Sequence, residues 1–548
     1  MRRLLAILGL LNVLVLAVHA GLSWFEAGAA TYAARPYGQV VFYDRFGARV
    51  ADVAYRVAPA AFANFQKPDT TVRRPGALVY PPPDPEDHIR TVKRQFAFAI
   101  GGDLIGADLF IDAYALPLIA STLLALGAVL LVARGPVADV TIVRSAWRWG
   151  VAFVLVMAVA MPVLVPDFWL SFAWGRTLWW GGNPYYDVPA AAVDGLPFDA
   201  PILRMTYGPL WAVISWVVTA VTSGSVFWGT VVFKALLAGS WIAVLALVRH
   251  LTNDRPPREQ AMALVVAGWA PLGAVQVGGD GHNDAFMILG ILSWLALVRL
   301  GRYRWATLSL AASVAVKYVS APLFLLDLLL TPVPGVAHPT FIQRVRAWIP
   351  RGLIAGVFWV VVFAPFVRSP AFFAETSAVR EGYFFLPADA IKAIGALTGL
   401  GLRPLAFLVM GVFPVVTAAC VWSWWRSPSF AGLQRATAAI MLSVLFIAAA
   451  HVWPWYVLWL AIPAVLLPWE SLLARWSVGV LLAAPFPLAY WTAWPDSGDF
   501  RKFELPSLAM YGLALGWMLV GWRLFRARAD VTVSQRPETE YEGFVSKA

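Results

Sequence analysis

One cysteine, Cys420, in a chain of 548 residues excludes an internal disulfide framework. It lies in an apolar run and reads as a buried, inert thiol. Charge is scarce as well: Asp, Glu, Lys and Arg fill 13% of positions against 60% hydrophobic residues, and the mean hydropathy is +0.69. A soluble chain of this length would divide into several domains with far more charge, so that class is excluded. No Walker A motif and no convincing dinucleotide fingerprint occur, so nothing points to a nucleotide pocket. No internal repeat is evident, which weighs against an alternating-access carrier. The formal net charge of +11 does not signal a nucleic-acid partner, because the basic residues gather in short loops between apolar runs, where they set topology.

What remains is an all-α polytopic membrane protein. The 28 Trp and 16 Tyr suit wide interfacial belts. Residues 1–24 read as an N-terminal membrane anchor. Val18-His19-Ala20 also fits a signal-peptidase site, but the apolar run is about long enough to span, which favours an uncleaved anchor. Residues 25–115 form an external cap or loop of irregular, Pro-rich character with no catalytic pattern. Residues 116–525 form the polytopic region, and 526–548 a polar cytoplasmic tail.

Two segments of the polytopic region have unusual lengths. Residues 210–222 are apolar, but at about 13 residues they are too short to cross comfortably. Counting them as a span would also put the basic cluster Arg249, His250, Arg255 and Arg258 outside. The positive-inside rule therefore makes them an interfacial or re-entrant helix, and 167–225 becomes an external loop with juxtamembrane helices. Residues 305–330 carry Lys317 near the middle. A hairpin of two short helices turning at Lys317-Tyr318 avoids burying that charge at mid-bilayer. The result is about fourteen crossings with both termini inside. Asp167, the turn around His282, Lys317, Arg380 and His451 then share the external face.

Acids, bases and cations at one membrane face suit a substrate with a lipid tail and a polar head. The chemistry that fits is glycosyl transfer from a polyprenyl phosphosugar. A carboxylate takes the acceptor hydroxyl proton while cations and hydrogen-bond donors stabilise the departing phosphate. The partners expected are that donor, a glycolipid or glycan acceptor, and membrane lipids. The alternative from another class is a lipid-linked oligosaccharide flippase or secondary transporter.

Several motifs, in order, carry a family resemblance. They are Asp167-Phe168-Trp169 through Gly175-Arg176, Asn183-Pro184-Tyr185, Tyr207-Gly208-Pro209-Leu210-Trp211, Gly281-His282-Asn283-Asp284-Ala285, Val316-Lys317-Tyr318 and Trp453-Pro454-Trp455-Tyr456. Over roughly residues 150 to 525 the chain resembles the GT-C superfamily of membrane glycosyltransferases. It looks most like the actinobacterial polyprenol-phosphate-mannose-dependent mannosyltransferases that build phosphoinositol mannosides, lipomannan and lipoarabinomannan. The resemblance implies a GT-C-like helical bundle, an inverting transfer with mannose as the sugar, and a catalytic carboxylate in the first large external loop, where Asp167 stands.

Each candidate has a plainer reading beside it. Asp167 also fits an interfacial acid ending a helix. If the segment after Pro166 is helical, Ser171 and Trp174 share its face, whereas Arg176, nine positions on, points away unless Gly175 breaks the helix. Arg176, Lys317 and His282 are the candidates for the donor phosphate, with snorkelling as the alternative for the two long cations. Asn183, Tyr185, Tyr207, Asn283, Asp284, His451, Trp453 and Tyr456 are candidates for substrate binding. Asp284 fits a helix N-cap equally well, and His451, Trp453 and Tyr456 fit an aromatic belt. No metal or cofactor is expected. A divalent ion on His282, Asp284 and Asp167 is the minor alternative, since no spacing demands it.

Overall fold

A computed structural model describes residues 1–33, 109–135, 139–162, 167–193, 196, 204–333, 336, 339–369, 372, 402–426, 428–448, 453–486, 488 and 510–519. Of the cap expected at 25–115, residues 34–108 lie outside the described residues, as do Arg380, His451 and the tail at 526–548, while 25–33 and 109–115 are helical. Every regular element described is helical, and no strand occurs among these residues. The expected helical class is therefore observed. Six described helices are long and apolar enough to cross a membrane, or seven if one bent pair counts as a single span. The chain is a multi-pass membrane protein.

The first layer consists of α1 (Arg2–Ala33), α2 (Leu109–Arg134) and α3 (Val140–Ala158). Helix α1 packs on both α2 and α3. Asp139 caps α3 by accepting from the amides of Thr141 and Ile142, which satisfies first-turn donors. Two short helices follow, α4 (Asp167–Trp179) and α5 (Pro209–Val221). The second is the segment expected to be interfacial, and at 13 residues it is too short to span.

These two helices pair side by side in a register of 40. The Tyr207 hydroxyl donates to Asp167, Trp211 Nε1 donates to Ser171 Oγ at 3.1 Å, and Gly175 rests against Ser215 and Thr219. Partners advance together, four residues at a time, so the helices run parallel, which requires the long crossover between them. A Cβ at Gly175 would strike the Ser215 carbonyl, so glycine sets how closely they approach.

Next come α6 (Val226–Leu251), α7 (Pro257–Trp269) and a π-helical segment, Gly273–Gly279, bent 46° from α7. Helix α7 crosses α3 at Gly150 and Gly268, where a Cβ on either glycine would come within 3.3 Å of the other backbone. Helices α8 (Asp284–Arg299) and α9 (Tyr303–Val316) form the most extensive helix pair described. The chain then breaks at Lys317, whose backbone is extended at φ −149° and ψ 118°. It resumes as a 3-10 turn, Tyr318–Leu323, and α10, Phe324–Leu329. Ser313 bonds Ser320 at 2.9 Å and Thr307 bonds Asp327 at 2.8 Å, so the returning strand of chain lies antiparallel to α9. The expected hairpin at Lys317 is present.

Helix α11 (Phe341–Phe363) covers this hairpin and turns Leu353, Val357, Val360 and Val361 outward, as a lipid-facing helix does. The remaining described helices are α12 (Leu402–Arg426), α13 (Phe430–Ser443), α14 (Val457–Ala464), α15 (Leu472–Ala483) and α16 (Met510–Leu519). Not all Trp side chains form belts: Trp169, Trp174, Trp211, Trp241, Trp269 and Trp294 are fully buried, so they build the core.

A buried polar knot ties the hairpin down. Asp327 is fully buried and accepts from Trp294 Nε1, Thr307 Oγ1 and Trp348 Nε1 at 2.8–2.9 Å, with Arg351 beside it at 3.8 Å. Removing the carboxylate strands three donors and a buried cation. Asp327→Leu is therefore expected to lower stability by about 3–5 kcal/mol. Thermal unfolding of detergent-solubilised protein, followed by tryptophan fluorescence, checks this; an unchanged midpoint would show that the knot is dispensable.

Candidate functional site

Three breaks in helical regularity meet at one place: the start of α4, the turn between the π-segment and α8, and the break after α9. Asp167 opens α4 and remains partly open, with 26% of its side chain exposed. Tyr207 Oη donates to its Oδ2 at 2.9 Å, and His282 Nδ1 lies 3.4 Å from the same oxygen. Both contacts fall on Oδ2 and leave Oδ1 available. Burial pushes the Asp167 carboxyl up, but His282, Tyr207 and Lys317 together hold it below its ordinary value. Burial and the adjoining carboxylate raise the Tyr207 hydroxyl well above its usual range, so it remains a donor.

The turn carrying His282 is shaped by glycine. Gly281 has φ +80° and rests against the Phe168 ring, so a side chain there would be strained and would collide. The His282 amide donates to Gln276 O at 3.0 Å. Its imidazole stacks on Trp455 with centroids 4.2 Å apart, and Trp455 in turn stacks on Trp453 at 5.0 Å. Nε2 of His282, both amide atoms of Asn283 and Oδ2 of Asp284 are all buried with no hydrogen-bond partner. Four orphaned polar atoms on three consecutive residues require an explanation, because each costs about 1–3 kcal/mol when left unmatched.

Lys317 and Asp284 form a buried ion pair at 2.7 Å. Asp284 Oδ1 also accepts from Trp459 Nε1. The ammonium lies over three rings, with centroids at 5.1 Å for Tyr207, 4.7 Å for Tyr456 and 5.0 Å for Trp459. Gly208 fastens the Tyr207 loop here: its amide donates to Val316 O at 2.9 Å, and a Cβ would strike the Ala315 carbonyl. Asp284 opens α8 without any side-chain capping bond at that end; its carboxylate faces the lysine instead.

The structure thus brings together Asp167, Tyr207, His282, Asn283, Asp284, Lys317 and Tyr456, with Trp453 stacked behind. It does not bring in Arg176. Helix α4 runs unbroken through Gly175, and the guanidinium donates to the carbonyls of Ala192 and Gly224. Asn183 and Tyr185 also stand apart as loop supports. Asn183 accepts from the Tyr185 amide and donates to Phe366 O, and Tyr185 Oη donates to Tyr207 O at 2.7 Å. Among the described residues no group of three His, Cys, Asp or Glu is placed to hold a metal ion.

Sequence reasoning quoted Trp455 within a motif without giving it a role, and passed over Trp459 and Lys234. Trp459 follows Tyr456 by three positions, a same-face spacing that extends the aromatic motif. Lys234 is a cation inside an apolar helix, which is itself a signal.

Residues 104–331 match the family model described as "Alpha-(1->6)-mannopyranosyltransferase, N-terminal domain". The matched segment contains Asp167, Tyr207, His282, Asp284 and Lys317, while the Trp453–Tyr456 motif falls beyond it. No curated protein gives a significant match to the chain. Over residues 104–331 the chain is similar to the N-terminal domain of the alpha-(1->6)-mannopyranosyltransferases, and with its apolar helices it is a membrane-embedded glycosyltransferase.

Proposed function

We propose that the chain is an inverting mannosyltransferase. It takes mannose from a polyprenyl-phosphate donor and places it on a cell-envelope glycolipid or glycan at the extracytoplasmic face. The observation that carries this reading is a half-open carboxylate, Asp167, beside buried and unpartnered polar atoms on His282, Asn283 and Asp284. Such atoms suit the hydroxyls of a sugar, which both donate and accept.

Asp167 Oδ1 takes the proton of the acceptor hydroxyl. The acceptor oxygen attacks the anomeric carbon as the bond from that carbon to the phosphate oxygen breaks, releasing polyprenyl phosphate. Attack opposite the leaving group inverts the anomeric centre. An ammonium has three N–H donors, and in Lys317 Asp284 accepts one, so the others serve the departing phosphate. Helix α11, with its outward apolar face, packs on the hairpin that carries Lys317 and would take the polyprenyl tail. The outward location is supported by the distribution of basic loops, which under the positive-inside rule favours Asp167 on the external side.

Purified full-length protein given a polyprenyl phosphomannose and a mannosylated glycolipid is expected to add one hexose, read by mass. The product's anomeric configuration, read by NMR, is expected to be opposite to the donor's. Efficient transfer from a nucleotide-diphosphate mannose in place of the lipid donor would overturn the donor assignment.

A further inference from the structure

Lys234 is the ninth residue of the 26-residue α6, a helix long and apolar enough to span, and only 4% of it is exposed. A cation at that depth is expensive and calls for a function. Its ammonium donates to Gly279 O, the last carbonyl of the π-segment, and reaches Met157 O in the last turn of α3 at 3.4 Å. Carbonyls at the ends of helices carry the negative end of the helix dipole, so a cation is well placed there; Met157 O also accepts the Ala160 amide at 3.0 Å.

The three elements are packed tightly enough to transmit this hold. A Cβ on Gly278 would sit 3.2 Å from Val154 O, and one on Gly279 would sit 2.8 Å from Met157 Cε, so the glycines let the π-segment lie directly on α3. From Gly279 the chain has three residues to reach His282. Over that stretch the Asp280 amide bonds Val275 O at 2.8 Å, the His282 amide bonds Gln276 O at 3.0 Å, and Gln276 Nε2 bonds Asp280 Oδ2 at 2.9 Å. Lys234 therefore anchors the near end of a short hydrogen-bonded turn whose far end presents an imidazole to Asp167.

We propose that Lys234 is a positioning residue for the transfer reaction: from within the α6 span its ammonium fixes the Gly279 and Met157 carbonyls and thereby sets His282 against Asp167. This rests on Asp167 acting as the base. The groups facing that carboxylate are His282 from the turn, Tyr207 from the loop before α5 and Lys317 from the break after α9. Tyr207 and Lys317 are held together by Gly208 and do not depend on Lys234. Release of the turn therefore removes the His282 contribution, while the Asp280 carboxylate, which also faces Lys234 from the turn, keeps its bond from Gln276. Burial then dominates, and the Asp167 carboxyl moves upward.

The test uses full-length protein in detergent with polyprenyl phosphomannose and a mannosylated glycolipid. In Lys234→Met, kcat is expected to fall at least about tenfold through misplacement of His282, with little change in the donor KM. The acidic limb of the kcat–pH profile is expected to move up by about one pH unit. Lys234→Arg, which keeps a cationic donor, is expected to restore most of kcat and the original limb. Lys234→Gln, with a neutral donor, is expected to give an intermediate limb and serves if the Met variant does not fold. A folded Met or Gln variant with the wild-type limb and kcat would overturn the inference, as would a loss of kcat with the limb unmoved. Asp167→Asn, measured alongside, separates the two readings. Wild-type-like turnover by that variant removes the base assignment itself, whereas an inactive Asp167→Asn with an unmoved Lys234→Met profile removes only the role of Lys234.

Discussion

Asp167→Asn is expected to abolish nearly all transfer while leaving the protein folded and able to bind its donor. Loss of a general base is expected to lower kcat by about 10²–10⁴-fold. Asparagine has the same shape, and its carbonyl oxygen can still accept from Tyr207, so the pairing of α4 with α5 survives. It cannot take a proton from the acceptor hydroxyl. The wild-type profile makes a second demand. The Asp167 carboxyl is held below its ordinary value, so its basic form persists as pH falls and activity is lost only below the usual carboxylate range. Tyr207→Phe removes one of the contacts that depress it, and the acidic limb then moves upward. Kinetics over a pH series, with size-exclusion profiles to show intact protein, measure both. A well-folded Asp167→Asn variant that turns over like wild type would end the assignment.

Features set by local pattern were legible from the chain alone. The short apolar run at 210–222 could not span, and α5 is a 13-residue helix. A lysine in the middle of 305–330 implied a break, and the chain turns there. The stripe of Asp167 and Ser171 followed from helical spacing, and both residues do face the Tyr207–Trp211 element. Pairings between distant segments were not legible. The parallel register of α4 and α5 joins residues 40 apart, and the Asp284–Lys317 pair joins residues 33 apart. The contact between Trp459 and Asp284 spans 175 positions. Such contacts depend on how whole helices pack, and no periodicity encodes that. Lys317 consequently read as a free cation, and only its carboxylate partner shows how a charge is kept at that depth. Arg176 was separable because its angle around α4 depends on a single local question, whether Gly175 interrupts the helix.

The Lys317–Asp284 pair gives the other large effect, and it separates structure from chemistry. Lys317→Met leaves the Asp284 carboxylate fully buried with Trp459 as its remaining donor. Stranding one member of a buried pair costs about 3–5 kcal/mol, so this variant should unfold well below wild type or fail to accumulate. Lys317→Met combined with Asp284→Asn removes both charges. Replacing a buried pair by neutral groups of similar volume is often nearly neutral for stability, so the double variant should recover most of the lost midpoint. Turnover should not recover with it, because the double variant still lacks the ammonium donors proposed for the departing phosphate. Its Asn also replaces the Asp284 carboxylate, whose Oδ2 is buried without a partner and is proposed to meet the sugar. Thermal unfolding of the two single variants and the double variant gives the coupling between the residues, and transfer assays on the same samples show whether stability and catalysis part company. A double variant that regains wild-type transfer along with its stability would make the pair a structural strut and leave the phosphate without its proposed cation.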